Sequence, residues 1–478
     1  MYKFQSKQIS LMDFDMPLGL KLDPKNRWVK KAATIPWDAI EKRYAKNFEG
    51  INGQVAKPLR LALGALIIQT ERRISDEEVA LQIQESPYLQ YFCGFPGYTE
   101  SVPFDPSSMV HFRKRLTSEI LCEINEMIIS KTTKSESSKS EPPSDSDGGS
   151  SSPPSNEGDL IVDATCAPQN IRYPQDISLL NEARENLESM IDALHLPGEG
   201  EKPRTYRRKA RHDYLEIAKS KKKTIEKMYK AIDKQLNYVR RDLGIVTAYL
   251  DSGRELSEKH MERLTTVFKL YEQQLYMHIN KVSRVDDRIV SLSQPWVRPI
   301  VRGKANAKCE FGAKLDISVS ECGFTRLERT SFDAYNEGET LVEIIERHKE
   351  RTGHYPARLL ADKIYRTRAN LIYCAERGIR IIGKPLGRPS KEKTFDKKQI
   401  RKDEIDRIEV ERKFSLAKGS FGLGLIRTKL KETSETAIAL AILALNIAFI
   451  TRVFRSLFEK LIEKAYLLFK YKNFTFVQ

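Results

Sequence analysis

With 478 residues, 40% of them hydrophobic, the chain is long enough for more than one folded unit with a real core. A net charge of +16 points to a polyanionic partner, nucleic acid first and an anionic membrane surface second. The six cysteines are scattered, with no CxxC pair and no Cys/His cluster, which argues against structural zinc or a disulfide framework and for reduced thiols in the cytosol. Residues 1–20 lack the basic-then-apolar pattern of a secretion signal.

Residues from about 35 to 130 read as helical. PLRLALGALIIQTERR (58–73) is a strongly apolar helix. Ser75 caps the next helix and Glu78 completes a capping box. A further helix starts near Ser107 or Ser108 and runs into the basic cluster Arg113, Lys114 and Arg115. Short helices ending in a basic cluster fit a helix-turn-helix-like DNA-binding module; a helical packing domain without base contacts fits them equally well. Residues 131–158 are rich in Ser, Pro, Gly and acidic residues, with almost nothing apolar, and read as a disordered linker. The linker leads into DLIVD, a strand-like run ending at Asp163.

A long excursion follows, expected to insert a helical hairpin at about 177–297. From Thr224 to Tyr249, Ile225, Met228, Ile232, Leu236, Val239, Leu243 and Val246 form a coiled-coil-like seam. Asp251-Ser252-Gly253 stops that helix, and a second one carries Leu264, Phe268, Tyr271, Leu275 and Ile279 as its stripe. Residues 201–240 hold 14 Lys/Arg against five Asp/Glu. Lys221, Lys222 and Lys223 are the densest part of this excess, expected to lie on a helix against the DNA backbone. A dimerisation device or a solvated hairpin are the other readings.

Strand-like CEFGAKLDISVS (309–320) and FTRLERTSF (324–332) then form a hairpin at Glu321-Cys322-Gly323. A helix (339–353), the strand ARLLAD ending at Asp362, a helix (about 366–377) and the strand IRIIG (379–383) give an α/β order. KPLGRPSKEK (384–393) is a basic loop broken by Pro and Gly. TAIALAILALNIAFI (436–450) is the most apolar run; it is short for a membrane span and interrupted by Asn446, so it reads as a buried helix.

Asp406 to Gly424 reads as a helix with Val410, Phe414 and Leu416/Ala417 on one side. Arg407, Glu411 and Lys418, at i, i+4 and i+11, fall close to one line along it. A carboxylate between two cations suits a site that holds a divalent metal and grips phosphate; an ordinary solvated face is the alternative. Glu409 is the rival carboxylate, but it faces about 160° away from Glu411.

Strand–Asp163, strand–Asp362 and helix–Glu411, in that order, resemble the catalytic triad of the DDE transposases of bacterial insertion sequences. In one branch of that family the glutamate sits in a Tyr-x2-Arg-x3-Glu-x6-Lys signature. Arg407-x3-Glu411-x6-Lys418 matches three of its four positions, and Glu404 stands where the family has tyrosine. LRLALGALIIQ, SDEEV, YLQYFCG, FRKRL, EFGAKL, ADKIYRTRAN and LGRP are similar to the family as well, so the resemblance covers most of the chain outside the serine-rich stretch.

The resemblance implies an RNase H-like α/β core over 159–478, a helical DNA-binding domain over 1–130 and a linker over 131–158. It implies two divalent ions, Mg²⁺ or Mn²⁺, held by Asp163, Asp362 and Glu411, with Arg407 gripping phosphate bidentately and Lys418 acting as a point charge. The expected activity is cleavage of double-stranded DNA at element ends, followed by attack of the freed 3′-OH on target DNA. The expected setting is a homodimer on DNA in the bacterial cytoplasm, associated with the nucleoid, with no membrane partner. Three alternatives stay open: an RNase H-like nuclease or resolvase without strand transfer, a non-catalytic DNA-binding derivative, and a membrane-surface protein.

Overall fold

The computed structural model describes residues 2–4, 10–48, 55–137, 156–196, 198, 200–301, 309–383 and 397–474. The N-terminal part is all helical: α1 (Arg27–Thr34), α2 (Trp37–Ala45), α3 (Leu59–Arg72), α4 (Asp76–Glu85), α5 (Pro87–Phe92), α6 (Ser108–Arg115) and α7 (Ser118–Ser137). Strand β1 (Asp159–Pro168) precedes α8 (Asp176–Leu194), α9 (Arg207–Lys219), α10 (Ile225–Asp251) and α11 (Glu258–Asn280). Then come β2 (Arg298–Val301), β3 (Cys309–Ser320), β4 (Thr325–Ser331), α12 (Leu341–Thr352), β5 (Arg358–Ala361), α13 (Arg368–Glu376), β6 (Arg380–Ile381), α14 (Lys397–Ser420) and α15 (Lys431–Phe474). Of the expected linker over 131–158, residues 131–137 continue α7; residues 138–155, like the expected 384–393 loop with its Gly-Arg-Pro, lie outside the described residues.

Two compact units emerge, one of Met1–Ala167, Leu315–Thr330 and Tyr335–Gln478, the other of Pro168–Lys314 and Ser331–Ala334. In the first, the strand order is β4-β3-β1-β5-β6, with β1, β5 and β6 parallel to one another. Leu160, Val162, Leu359 and Ala361 pack one sheet face against Leu341, Ile344 and Ile345 of α12. Ile161, Val319, Leu360 and Ile382 pack the opposite face against Val410 and Phe414 of α14. Alternation along a strand thus decides which helix each residue meets, and both faces being covered explains the apolar runs of β1 and β5.

The N-terminal helices share one core with Ala439, Leu440, Leu443, Ile447 and Ile450 of α15. Every residue of α3 from Leu59 to Ile68 is buried. Ser75 caps α4 as expected, its hydroxyl accepting from the Glu78 N–H at 3.1 Å. Among the described residues Lys431–Val453 is long and apolar enough to cross a membrane, and 67% of its most apolar window is buried against the protein. Asn446 is fully buried but satisfied: its amide donates to Thr325 O (2.7 Å) and Asn125 Oδ1 (2.8 Å), and its carbonyl accepts from Thr325 N (3.0 Å). A buried amide is tolerated when its hydrogen bonds are made.

The second unit is a helical bundle, and it corrects several expectations. Helix α8, which carries no strong sequence signal, is its centre, packing Leu180, Leu187 and Ile191 with Leu236, Val239, Leu243 and Val246 of α10 and Leu264, Val267 and Leu270 of α11. The α10 seam holds from Leu236 onward, but Ile225 at the first turn is 79% exposed. On α11 the stripe is rotated: Val267, Leu270 and Met277 are buried, whereas Phe268 (39%) and Ile279 (66%) are exposed. The helix has more apolar residues than one face, and only packing selects among them. Lys221, Lys222 and Lys223 are not helical; they form the exposed connection between α9 and α10. Strand β2, too short to announce itself, runs antiparallel to the start of β3, with Arg298 opposite Gly312 and Val301 opposite Cys309.

Candidate active site

Strands β1 and β5 pair in parallel, with Val162 beside Ala361. One residue further along each chain come Asp163 and Asp362, at the same level on neighbouring strands about 4.8 Å apart along the hydrogen-bonding direction; Asp362 directly follows β5, but β1 continues to Pro168, so Asp163 lies within its strand and not at the end that DLIVD suggests. Both are fixed by backbone donors: Ala164 N–H to Asp163 Oδ1 at 2.8 Å and Lys363 N–H to Asp362 Oδ1 at 2.7 Å. Asp163 is largely buried and Asp362 exposed.

The α14 helix packs on this face of the sheet. Arg407 Nη1 lies 3.7 Å from Asp163 Oδ2, and its Nη2 donates to Glu411 Oε1 at 3.0 Å. Glu411 is 52% exposed. The rival Glu409 is turned away, pairing with Arg412 at 3.4 Å and with the buried Lys413 at 3.5 Å. Lys418 lies half-buried in the last turn of the helix. Glu404, at the position of the family tyrosine, is exposed.

Arginines of the sheet that pair with the buried Asp403 set the position of α14. Arg358 of β5 forks onto Asp159 of β1, and its Nη1 reaches Asp403 Oδ1 (2.9 Å) and Asp406 Oδ2 (2.7 Å) of α14. Arg380 of β6 donates to both oxygens of Asp403. Burial alone would raise the Asp403 pKa, but hydrogen bonds from Arg380, Gln399 and Arg358 hold it down at about 2. The first half of α14 is therefore locked to β1, β5 and β6.

Burial pushes the Asp163 pKa up to about 6; the Ala164 N–H and Arg407 work against this, while the charges of Asp362 and Glu337 reinforce it. Fully buried Tyr365, on the turn after Asp362, has its hydroxyl pKa raised by burial first and then by Asp316, Glu337 and Asp163. Glu337 was not singled out from the sequence, since nothing local marks it. These residues fit a hard divalent cation: the donors are carboxylates, and burial, reinforced by neighbouring carboxylates, raises an Asp163 pKa that a cation would lower.

The basic residues of the N-terminal module are not equivalent. Arg113 is a correction to the expected DNA-facing cluster: its side chain is 11% exposed and is committed to Asp76 and Gln69 across α4 and α3. Lys114 is exposed, and so is Arg115, whose guanidinium lies 5.4 Å from the Phe48 ring centroid. A helix can show solvent only part of a three-residue cluster. Lys221, Lys222 and Lys223 belong to the other unit.

A family model described as "Transposase DDE domain" matches residues 359–448, the span that holds Asp362, Arg407, Glu411 and Lys418. A second, described as "Transposase domain (DUF772)", matches residues 17–115. An uncharacterized protein, ORF8 in the nfe locus of Rhizobium meliloti, is 28% identical over 166 residues, which cover 35% of this chain and 73% of that protein. No solved structure matches. The two family matches support an insertion-sequence transposase, an enzyme class that acts on DNA.

Proposed function

We propose that the protein is a DDE transposase of an insertion sequence, cleaving DNA strands at the element ends and joining the freed 3′-OH to target DNA. The observation that carries this reading is the parallel register of β1 and β5, which sets Asp163 beside Asp362 while Arg407 links Asp163 to Glu411 of the crossing helix. The strand order β4-β3-β1-β5-β6, with helices on both faces, supports an RNase H-like core. The α8–α11 bundle between β1 and β2 is then an insertion into it.

In this reading Asp163, Asp362 and Glu411 hold Mg²⁺ or Mn²⁺, two ions in all, which when bound supply Lewis-acid activation of the attacking and leaving oxygens. Arg407 compensates Asp163 and Glu411 in the free protein. Its planar fork can turn to a DNA phosphate once those carboxylates are neutralised otherwise. Lys418, further along α14, adds a point charge toward the strand. Lys114, Arg115 and the 221–223 lysines contribute phosphate contacts that orient the duplex without reading bases. A homodimer on DNA would bring two element ends together.

The test is incubation of the protein and Mg²⁺ with a duplex carrying the native locus ends and a supercoiled target. The expected products are nicks exposing a 3′-OH at the element end and joined molecules. Nicking without joining would favour an RNase H-like nuclease or resolvase. Binding without either would favour a non-catalytic derivative.

A further inference from the structure

Helix α14 is held in its first half and at its far end. In its first half, Arg358 and Arg380 of the sheet grip Asp403 and Asp406. At its far end, Arg73 Nη1 donates to the carbonyl of Gly419 at 3.0 Å. Arg73 is the left-handed C-cap of α3, with a φ of 57° and its own N–H closing on Gln69 O at 2.7 Å. Its backbone therefore ends one helix while its side chain reaches the end of another.

The last carbonyls of a helix need partners from outside its own ladder. Ala417 O accepts from Phe421 N–H (3.2 Å) and Leu423 N–H (3.1 Å). Gly424 passes so close to Lys418 O that a Cβ there would lie 2.9 Å from it. Gly419 O takes the Arg73 guanidinium, a cation at the negative end of the helix dipole. Gly419 directly follows Lys418.

We propose that Arg73 is a positioning residue for the line Arg407–Glu411–Lys418: from the N-terminal helices it fixes the last turn of α14, and so the place of Lys418 relative to a DNA phosphate. The role of Lys418 rests on the function proposed above; the contact with Gly419 does not. The N-terminal helices thereby act on the catalytic helix as well as on DNA.

The test compares Arg73→Ala, Arg73→Lys and wild type by hydrogen exchange, with DNA binding measured in parallel. Loss of a cation at a helix end should speed exchange at Phe421 and Leu423 about threefold to fivefold in R73A, with R73K restoring much of the protection and α3 unchanged. R73A should weaken binding to a nicked element-end duplex, and should do so no further in a K418Q background. Equal exchange in R73A and wild type overturns the proposal, and so does full additivity with K418Q. If wild type cleaves no DNA, the transposase reading fails by itself while the exchange arm still decides whether Arg73 holds the helix end. If K418Q leaves binding unchanged although R73A loosens the helix, action through Lys418 is overturned.

Discussion

Arg407 on α14 lies 3.7 Å from Asp163 on β1, and the same guanidinium holds Glu411 at 3.0 Å. One cation thus ties together two carboxylates that the chain brings from the middle of a strand and from a helix, separated by more than two hundred residues. With Asp362 at the neighbouring strand end, this makes the site a set of like charges held by backbone donors and a single arginine.

Under the proposed function, Asp163→Asn, Asp362→Asn and Glu411→Gln should each abolish Mg²⁺-dependent nicking of an element-end duplex and leave DNA binding within a few-fold of wild type. Glu409→Gln should retain activity, because Glu409 faces Arg412 and Lys413 instead. Near-normal nicking by any of the first three proteins would remove that residue from the site. An inactive E409Q beside an active E411Q would move the site to the other face of α14.

Asp163 should also cost the fold stability at neutral pH. Its pKa is raised from 3.8 to about 6, so the folded state holds this proton more tightly than the unfolded chain. The stability linked to that proton is present below about pH 4 and is lost as pH rises through about 6. Two pH units correspond to about 3 kcal/mol, so Asp163→Asn should be about 1–3 kcal/mol more stable than wild type at pH 7.5, with the difference closing toward pH 4. Added Mg²⁺ should stabilise wild type and not the variant. Melting curves across pH decide it; no gain for D163N at pH 7.5 would mean that Arg407 and the Ala164 N–H already compensate the charge.

Much of this site is legible in the sequence because each acid closes a local pattern. DLIVD and ARLLAD are short apolar runs that end at an aspartate, and the α14 cations repeat on one helical line. The hairpin of β3 and β4 was equally legible, since Gly323 at a φ of 79° supplies the turn that Glu321-Cys322-Gly323 suggests. What escaped depends on partners distant in sequence. Arg113 looks like its neighbours until Asp76 is seen beside it, and Phe268 looks like a core residue until α8 selects Val267 and Leu270. Glu337 and Arg73 act through contacts that no local pattern encodes.

The serine-rich stretch should be the first place a protease cuts, because its composition offers nothing to bury. Limited digestion should give an N-terminal fragment ending within residues 131–158. The pieces should nevertheless stay together, since α7 and α3 share a core with Leu440, Leu443 and Ile447 of α15. Size-exclusion chromatography of the nicked protein should show one peak containing both fragments, separating only in denaturant. Separate elution of the N-terminal fragment would mean that this core is weaker than its burial implies.

Lys221, Lys222 and Lys223 are exposed in the connection between α9 and α10, within a region carrying nine more positive than negative charges over 201–240. Lysines in such a connection act mainly on the phosphate backbone and carry no base information. Each phosphate contact removed should flatten the slope of log K against log salt by about 0.9 for duplex DNA. Replacing all three with Gln should therefore weaken binding to specific and random duplexes by similar factors, and lower the slope by about 1–3 units if one to three of them touch phosphate. The fold should not change, because α10 begins after them, with Thr224 Oγ1 accepting from Lys227 N–H at 3.3 Å, and its buried seam starts later still. A salt titration of wild type and triple mutant is the measurement. An unchanged slope, with helicity intact by circular dichroism, would make these lysines a solvated connection and leave the bundle better explained as a dimerisation element.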